Sequence, residues 1–155
     1  MSQSVVKEVR SVLIPLHQLQ LLLPNAVIAE VIGYQLPEPA DQGMPDWYVG
    51  NYAWRGVVIP VISFEGMLGE QVVIPGNRGR IMVMNTLGQN QQLTHVGLLV
   101  QAIPSLVRVS AENVVPVSSE EEFSPLIKQQ VELDMSPAII PDLDEFERQV
   151  LDVVV

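Results

Sequence analysis

Apolar residues along the chain follow the spacing of strands more often than that of helices. Residues 11–16 are apolar from Val12 onward, which predicts a buried strand. The leucines of residues 19–23 alternate after a turn at residues 17–18, and this pattern predicts a second strand. Residues 26–32 place apolar side chains near helical spacing, so we predict a helical turn that leads into a third strand.

The second half of the chain continues the strand pattern. Two strand-like runs, residues 80–87 and 94–100, are separated by Gly88 and four polar residues, which predicts a hairpin. Shorter strands are predicted at residues 107–109, 114–117, 129–133 and 138–140. Loops and turns are predicted at residues 33–45, at residues 65–79 with a small strand at 72–74, at the acidic residues 120–122 and at residues 134–137.

Only the last segment has a clear helical period. Its apolar positions fall on one helical stripe, which consists of Leu143, Phe146, Val150, Leu151 and Val154. Asp142 is placed to cap the helix, and Glu145 stands three residues later as the partner in a capping box. We therefore predict a C-terminal helix that docks through Phe146, Val150 and Leu151.

Residues 50–64 combine an aromatic cluster with an apolar run. Residues 57–64 are β-branched or aromatic at almost every position, which favours a strand covered on both faces. Pro60 lacks a backbone donor, so we predict that it lies at a sheet edge or a bulge. Arg55, between Trp54 and Gly56, is therefore predicted to be an exposed contact residue and not a core residue.

Arg55 has two interpretations. It is either a surface arginine whose stem covers Trp54 and whose charge meets a nearby acid, or the centre of an interaction hot spot with Tyr52, Trp54 and Gly56. Arginine, tryptophan and tyrosine dominate the binding energy of protein interfaces. Gly56 either admits a partner's backbone or satisfies a positive φ.

Apolar patterns near the end of each half resemble one another. Residues 58–62 and 139–143 share an apolar-apolar-Pro pattern, and residues 21–23 resemble residues 98–100. This echo is the pattern that an internal duplication would leave, although apolar strands also resemble one another by chance.

Composition and charge exclude several classes of protein. The chain has 155 residues, 48% of them hydrophobic, and no cysteine, which suits one compact cytoplasmic domain without disulfides. No secretory signal or membrane-spanning run is visible, so no direct membrane insertion is expected. Residues 1–111 hold 7 acidic and 6 basic side chains, whereas residues 112–155 hold 11 and 2. A net charge of −10 argues against nucleic acid as a partner.

Catalytic constellations are not apparent in the sequence. His17 and His95 fall in different predicted hairpins without carboxylates at ligand spacing, so surface positions are the simpler interpretation. No nucleophile elbow or phosphate-binding loop is present. Met82 and Met84 alternate within a strand, which indicates core and not an adaptable binding surface. We expect no enzyme activity, no cofactor and no metal.

Residues 50–64 resemble the signature of CheW-like domains, in which a Gly is followed by an Arg-Gly pair and then by apolar-apolar-Pro-apolar-apolar. The family commonly has Asn and Asp where this chain has Ala53 and Ser63, and these departures, with Trp54, resemble the type IV pilus (twitching) branch. The resemblance extends over residues 10–150. It implies one mostly β domain over residues 1–155, with residues 1–9 flexible. In this fold two pseudo-symmetric, SH3-like five-stranded β-barrels flank a groove, and a helix ends the chain.

The same resemblance implies a function. CheW-like adaptors couple the cytoplasmic tip of a chemoreceptor to the regulatory domain of a CheA-type histidine kinase, in arrays at the cytoplasmic side of the membrane. Contact residues are then expected at Arg55, Trp54, Gly56, Tyr52, Glu30, Val96 and Leu98. Two alternatives remain: a small β-barrel enzyme or ligand carrier that uses the groove, and a regulatory subunit of an unrelated complex.

Overall fold

The computed structural model describes residues 8–88, 91–117 and 124–154. The protein is mostly β, with 47% of these described residues in strands and 14% in helices. The strands are β1 (Val9–Pro15), β2 (Gln20–Pro24), β3 (Ile28–Gly33), β4 (Glu38–Pro39), β5 (Tyr48–Trp54), β6 (Val57–Ile62), β7 (Arg80–Asn85), β8 (His95–Val100), β9 (Ser105–Val109), β10 (Val114–Pro116), β11 (Ile127–Leu133) and β12 (Ser136–Pro141). The helices are α1 (Phe64–Met67) and α2 (Leu143–Val154), and a 3-10 turn (Asn25–Val27) precedes β3.

The strands form two six-stranded sheets with the same plan. Lobe 1 has the order β10-β11-β12-β2-β1-β9, and lobe 2, taken in the matching direction, has the order β4-β5-β6-β8-β7-β3. In each lobe an antiparallel meander joins a hairpin through one parallel pair, at Ile139 and Leu21 in lobe 1 and at Val61 and Gly97 in lobe 2. The resemblance implied five strands in each lobe, and the shortest of the six are β4 and β10.

This shared plan accounts for the echo in the sequence. Pro60 and Pro141 lie in β6 and β12, which occupy equivalent places in the two sheets. The leucine-rich strands β2 and β8 are equivalent in the same way. Each of β6 and β12 leads directly into a helix, whose first turn is capped by Ser63 in α1 and by Asp142 in α2. The repeated apolar pattern therefore marks equivalent positions in two lobes.

Alternation along the central strands separates the core shared by the two lobes from the apolar clusters within each lobe. Leu21 and Leu23 of β2 face a core shared by the two lobes, while Leu22 between them faces a core within lobe 1. Met82 of β7 belongs to the shared core, whereas its neighbour Ile81 faces the interior of lobe 2. These strands are covered on both faces, which is why they appear in the sequence as continuous apolar runs.

Two predictions about the segment 57–64 were wrong. Pro60 lies neither in an edge strand nor at a bulge. Strand β6 has β5 on one side and β8 on the other, and the register irregularity of β5 falls opposite Val61 and Ile62. The register with β8 starts only at Val61, so the missing donor of Pro60 stands just before that ladder begins. Val57 and Val58 are exposed, so coverage on both faces begins at Ile59.

Other boundaries also differ from the predictions. The strand predicted to run to Phe64 ends at Ile62, because Ser63 caps α1, and its hydroxyl accepts the N–H of Gly66. Residues 72–74 form no strand, and the loop before β5 contains the two-residue β4. Val9 already belongs to β1, within the stretch predicted to be flexible. Residues 1–7 and the predicted acidic turn at 120–122 lie outside the described residues.

Helix α2 docks by the predicted stripe. Phe146 and Val150 are buried in the shared core, and the Phe146 ring lies 6.1 Å from the ring of Phe64. The Asp142 carboxylate accepts the N–H of Glu145 at 3.1 Å, which is one half of the predicted capping box. The other half is absent, since the N–H of Asp142 donates to the carbonyl of Leu126.

Two further carboxylates tie segments together. Buried Glu65 of α1 accepts the backbone N–H groups of His17 and Gln18 at 2.7 and 3.0 Å, and so fastens the β1–β2 turn of lobe 1 to lobe 2. Glu147 of α2 accepts the N–H of Leu87, just after β7. Burial raises the pKa of Glu147, and that hydrogen bond partly offsets the rise.

Glu145 predicts an acid-dependent loss of stability. Hydrogen bonds from Arg148 and Gln149 lower its pKa from the ordinary 4.5 to about 2. A carboxylate with a lowered folded-state pKa stabilises the fold above its unfolded pKa, and this contribution is lost as the pH falls through the folded value. We expect the melting temperature to fall between pH 4.5 and 2 more steeply in the parent than in Glu145→Gln. Parallel curves for the two proteins would contradict this assignment.

Candidate functional site

Arg55 and Gly56 form the two-residue turn between β5 and β6. Their φ angles are 47° and 79°, and Trp54 pairs with Val57 across the turn. Positive φ at both positions is the geometry of the tight hairpin turn that matches the twist of the strands. A Cβ on Gly56 would meet no atom within 4 Å, so the glycine serves the backbone angle and not a close contact.

The Arg55 side chain is presented at this turn and held by Glu30. The guanidinium Nη2 lies 3.2 Å from Oε2 of Glu30, and 69% of the Arg55 side chain is exposed, against 31% for Glu30. Trp54 donates its Nε1–H to the same Oε2 at 3.2 Å. The Arg55 guanidinium carbon also lies 5.1 Å from the centre of the Trp54 ring, within cation–π range.

Curling of the lobe 2 sheet brings these residues together. Glu30 belongs to β3 and Trp54 to β5, and the strand order places β7, β8 and β6 between them. Their hydrogen bond therefore requires the sheet to bend until its two ends approach, as in a barrel. Trp54, which is only 9% exposed, packs inside this curl with Ile59 and Val83.

Gly50 is required for a different reason. A Cβ at this position would stand 2.2 Å from the carbonyl oxygen of Glu38, on the neighbouring strand β4. Only glycine allows that approach, and a side chain would displace β4. Strand β5 thus needs a glycine near its start, where β4 approaches closely, and a positive φ at the turn beyond its end. These two requirements explain the spacing between Gly50 and the Arg55–Gly56 turn.

The structure assembles some of the predicted contact residues and not others. Glu30, Trp54 and Arg55 meet at the turn, and partly buried Tyr52 packs beneath them against the interior of lobe 2. Val96 and Leu98 are each 1% exposed and belong to the core shared by the lobes. Their side chains face away from the surface because β8 is covered on both faces.

Both interpretations of Arg55 find support in this geometry. Its charge meets a local acid, Glu30, and its guanidinium covers Trp54, as expected for a surface arginine. The side chain is also mostly exposed and fixed in direction, as expected for a contact residue. Sequence reasoning missed His95, whose ring centre lies 4.6 Å from that of Trp54, because no spacing links the two residues.

Exposed apolar side chains include one group on each lobe. Beside the Arg55 turn, Val57 and Val58 are exposed, the latter at 70%. On lobe 1, Leu106 of the edge strand β9 is 76% exposed, and Ile103 just before it is also exposed. Apolar side chains that cluster on a surface are typical of protein contact sites.

The space between the lobes is filled by side chains. The void among Leu21, Phe64, Leu98 and Phe146 has a volume of about 10 Å³, which is at most room for one water. A hollow of about 460 Å³ lies instead on lobe 1, between the segment 16–20 and strands β11 and β12. The shared core therefore has no room for the ligand groove that was predicted between the lobes.

Within residues 8–88, 91–117 and 124–154, no group of three or more histidine and acidic side chains could hold a metal ion. In the same part of the chain, no helix is both long and apolar enough to cross a membrane.

A fold of two equivalent six-stranded lobes with a terminal helix, carrying an arginine on a hairpin turn, defines a class of β domain. The family model of the CheW-like domain matches residues 10–150, and the chain belongs to that family. Among solved structures, the scaffolding protein TtCheW from Thermoanaerobacter tengcongensis is similar, with a TM-score of 0.71 and 19% sequence identity. The similarity covers 92% of this chain and 90% of that one. No curated protein matches the chain.

Proposed function

We propose that this protein is a non-enzymatic adaptor that couples a chemoreceptor to a CheA-type histidine kinase. The observation that carries the proposal is the presentation of Arg55, which a turn, an ion pair to Glu30 and the Trp54 ring hold at the surface of a CheW-like fold. Interface hot spots are built from this combination of residues. The proposed partners are the kinase's regulatory domain and the receptor's cytoplasmic tip.

An adaptor must hold two partners at once, so it needs two separate surfaces. The first is the Arg55 surface, which consists of Arg55, Val57 and Val58. The second is the β9 surface, which consists of Arg10, Ile103, Leu106 and Arg108. The two surfaces lie on different lobes, because β6 belongs to lobe 2 and β9 to lobe 1.

The β9 surface combines exposed apolar and basic side chains on a sheet edge. Arg10 and Arg108 are direct cross-strand neighbours on β1 and β9, and with Asn25 and Leu106 they line a hollow of about 290 Å³. Like charges directly opposite each other destabilise a sheet. Glu8 offsets the charge of Arg108 only at 3.6 Å. The unfavourable Arg10–Arg108 pair beside exposed Leu106 does not stabilise the fold, so contact with a partner explains it better.

We further propose that this adaptor serves the signalling system of type IV pili, in an array at the cytoplasmic side of the membrane. It rests on the departures from the family signature at Ala53 and Ser63 and on Trp54 before the arginine. In this chain Ser63 caps α1, and Trp54 supports Glu30 and Arg55. We also propose that the chain acts as one domain, since the two lobes share a core.

Binding assays with one variant of each surface test this proposal. The receptor tip and the kinase regulatory domain of the same organism are each titrated against the parent, Arg55→Glu and Leu106→Glu. We expect the parent to bind both partners, and each variant to lose one partner while keeping the other. Failure of the parent to bind either partner would contradict the proposal, and so would loss of both partners in each folded variant.

A further inference from the structure

His95, the first residue of β8, packs its ring against the indole of Trp54. The ring centres are 4.6 Å apart and the planes are tilted by 51°. Aromatic pairs at this separation attract each other beyond the area that they bury. The Thr94 hydroxyl oxygen lies 3.1 Å from Nδ1 of His95, which restrains the imidazole. Strand β8 therefore supports the indole from one side.

The indole, in turn, orients both charged groups of the turn. Its Nε1–H donates to Oε2 of Glu30, the same oxygen that pairs with Arg55. The Arg55 guanidinium also lies 5.1 Å from the ring centre. If the indole turned, Glu30 would lose a donor and Arg55 would lose the surface on which it lies.

We propose that His95 is a positioning residue for Arg55 and acts by clamping the indole of Trp54. The inference rests on the proposed function, because it concerns the same Arg55 surface. An arginine that is ordered before binding loses less side-chain freedom when the partner arrives.

Three variants test this role. His95→Ala removes the ring, His95→Phe keeps a ring without its nitrogens, and His17→Ala is the control at the chain's other histidine, which is exposed on lobe 1. The first readout needs no partner: the NMR resonance of the Trp54 Nε1–H and the order of the Arg55 side chain. The second is the affinity for the partner that Arg55→Glu fails to bind. Since immobilising a side chain costs about 0.5–1.5 kcal/mol on binding, His95→Ala should weaken this affinity about 2- to 10-fold.

We expect His95→Ala to make the Trp54 indole and Arg55 more mobile and to weaken binding, while in His95→Phe and His17→Ala both side chains stay ordered and binding is like that of the parent. An indole and an Arg55 side chain that stay ordered in His95→Ala would overturn the inference. Equal loss of binding in His95→Phe with the indole in place would also overturn it. Normal binding by Arg55→Glu would contradict the proposed function alone, because the partner-free readout still reports on the clamp.

Discussion

Phe146→Ala is expected to lower the free energy of unfolding by about 3–5 kcal/mol, the range for removing a buried aromatic ring. Phe146 is 3% exposed in the core that both lobes share, and its ring lies 6.1 Å from that of Phe64. The cavity would open where α2 packs on strands from both lobes, so neither lobe can close it alone. Such a loss is a large part of a domain's total stability.

Chemical denaturation measures this loss, with Leu151→Ala as the matched control. Leu151 lies on the same face of α2 but is only partly buried, so its truncation should cost clearly less. A change below about 0.5 kcal/mol in Phe146→Ala would show that the helix is peripheral to the fold.

Arg55→Glu is expected to abolish binding of one partner while the melting temperature stays nearly the same. An exposed ion pair contributes only about 0–1 kcal/mol to folding, and the Arg55 side chain is 69% exposed. Within an interface, a carboxylate left unpaired costs about 2–5 kcal/mol of binding, or roughly 30- to several-thousand-fold in affinity. Trp54→Ala should weaken the same interaction, because it removes the support of the guanidinium.

A charge swap separates recognition of Arg55 from loss of its ion pair. Glu30→Arg combined with Arg55→Glu restores opposite charges but leaves a carboxylate at the turn, so binding should stay lost. Arg78→Glu makes the same charge change in the exposed loop before β7 and should bind like the parent. Normal binding by Arg55→Glu, its unfolding, or rescue by the swap would each show that Arg55 is structural.

The strand pattern could be predicted where each strand packs against one or two apolar cores. The helical turn before β3, the β7–β8 hairpin and the stripe of α2 all carry local periods, and the structure confirms them. The place of Pro60 could not be predicted, because it depends on where the ladder between β6 and β8 starts, which is one residue later, at Val61. That offset is a property of the sheet and not of the local sequence.

The candidate site, too, could be predicted from the sequence only in part. Arg55 and Gly56 were recognisable because a tight turn and a presented cation leave a local signature. Of their supports, Glu30 was expected only from the family resemblance and His95 was missed, since both reach Trp54 only when the sheet of lobe 2 curls. Val96 and Leu98 show the converse, because the continuous apolar run of β8 is the pattern of a strand covered on both faces, and both side chains belong to the core and not to a contact surface.

Sedimentation velocity of the chain mixed with the receptor tip and the kinase regulatory domain tests the adaptor role most directly. We expect a single ternary complex that sediments faster than either binary complex, since the Arg55 surface and the β9 surface lie on different lobes. Displacement of one partner by the other would contradict two separate surfaces. Sedimentation of the chain alone in every mixture would contradict the adaptor role itself.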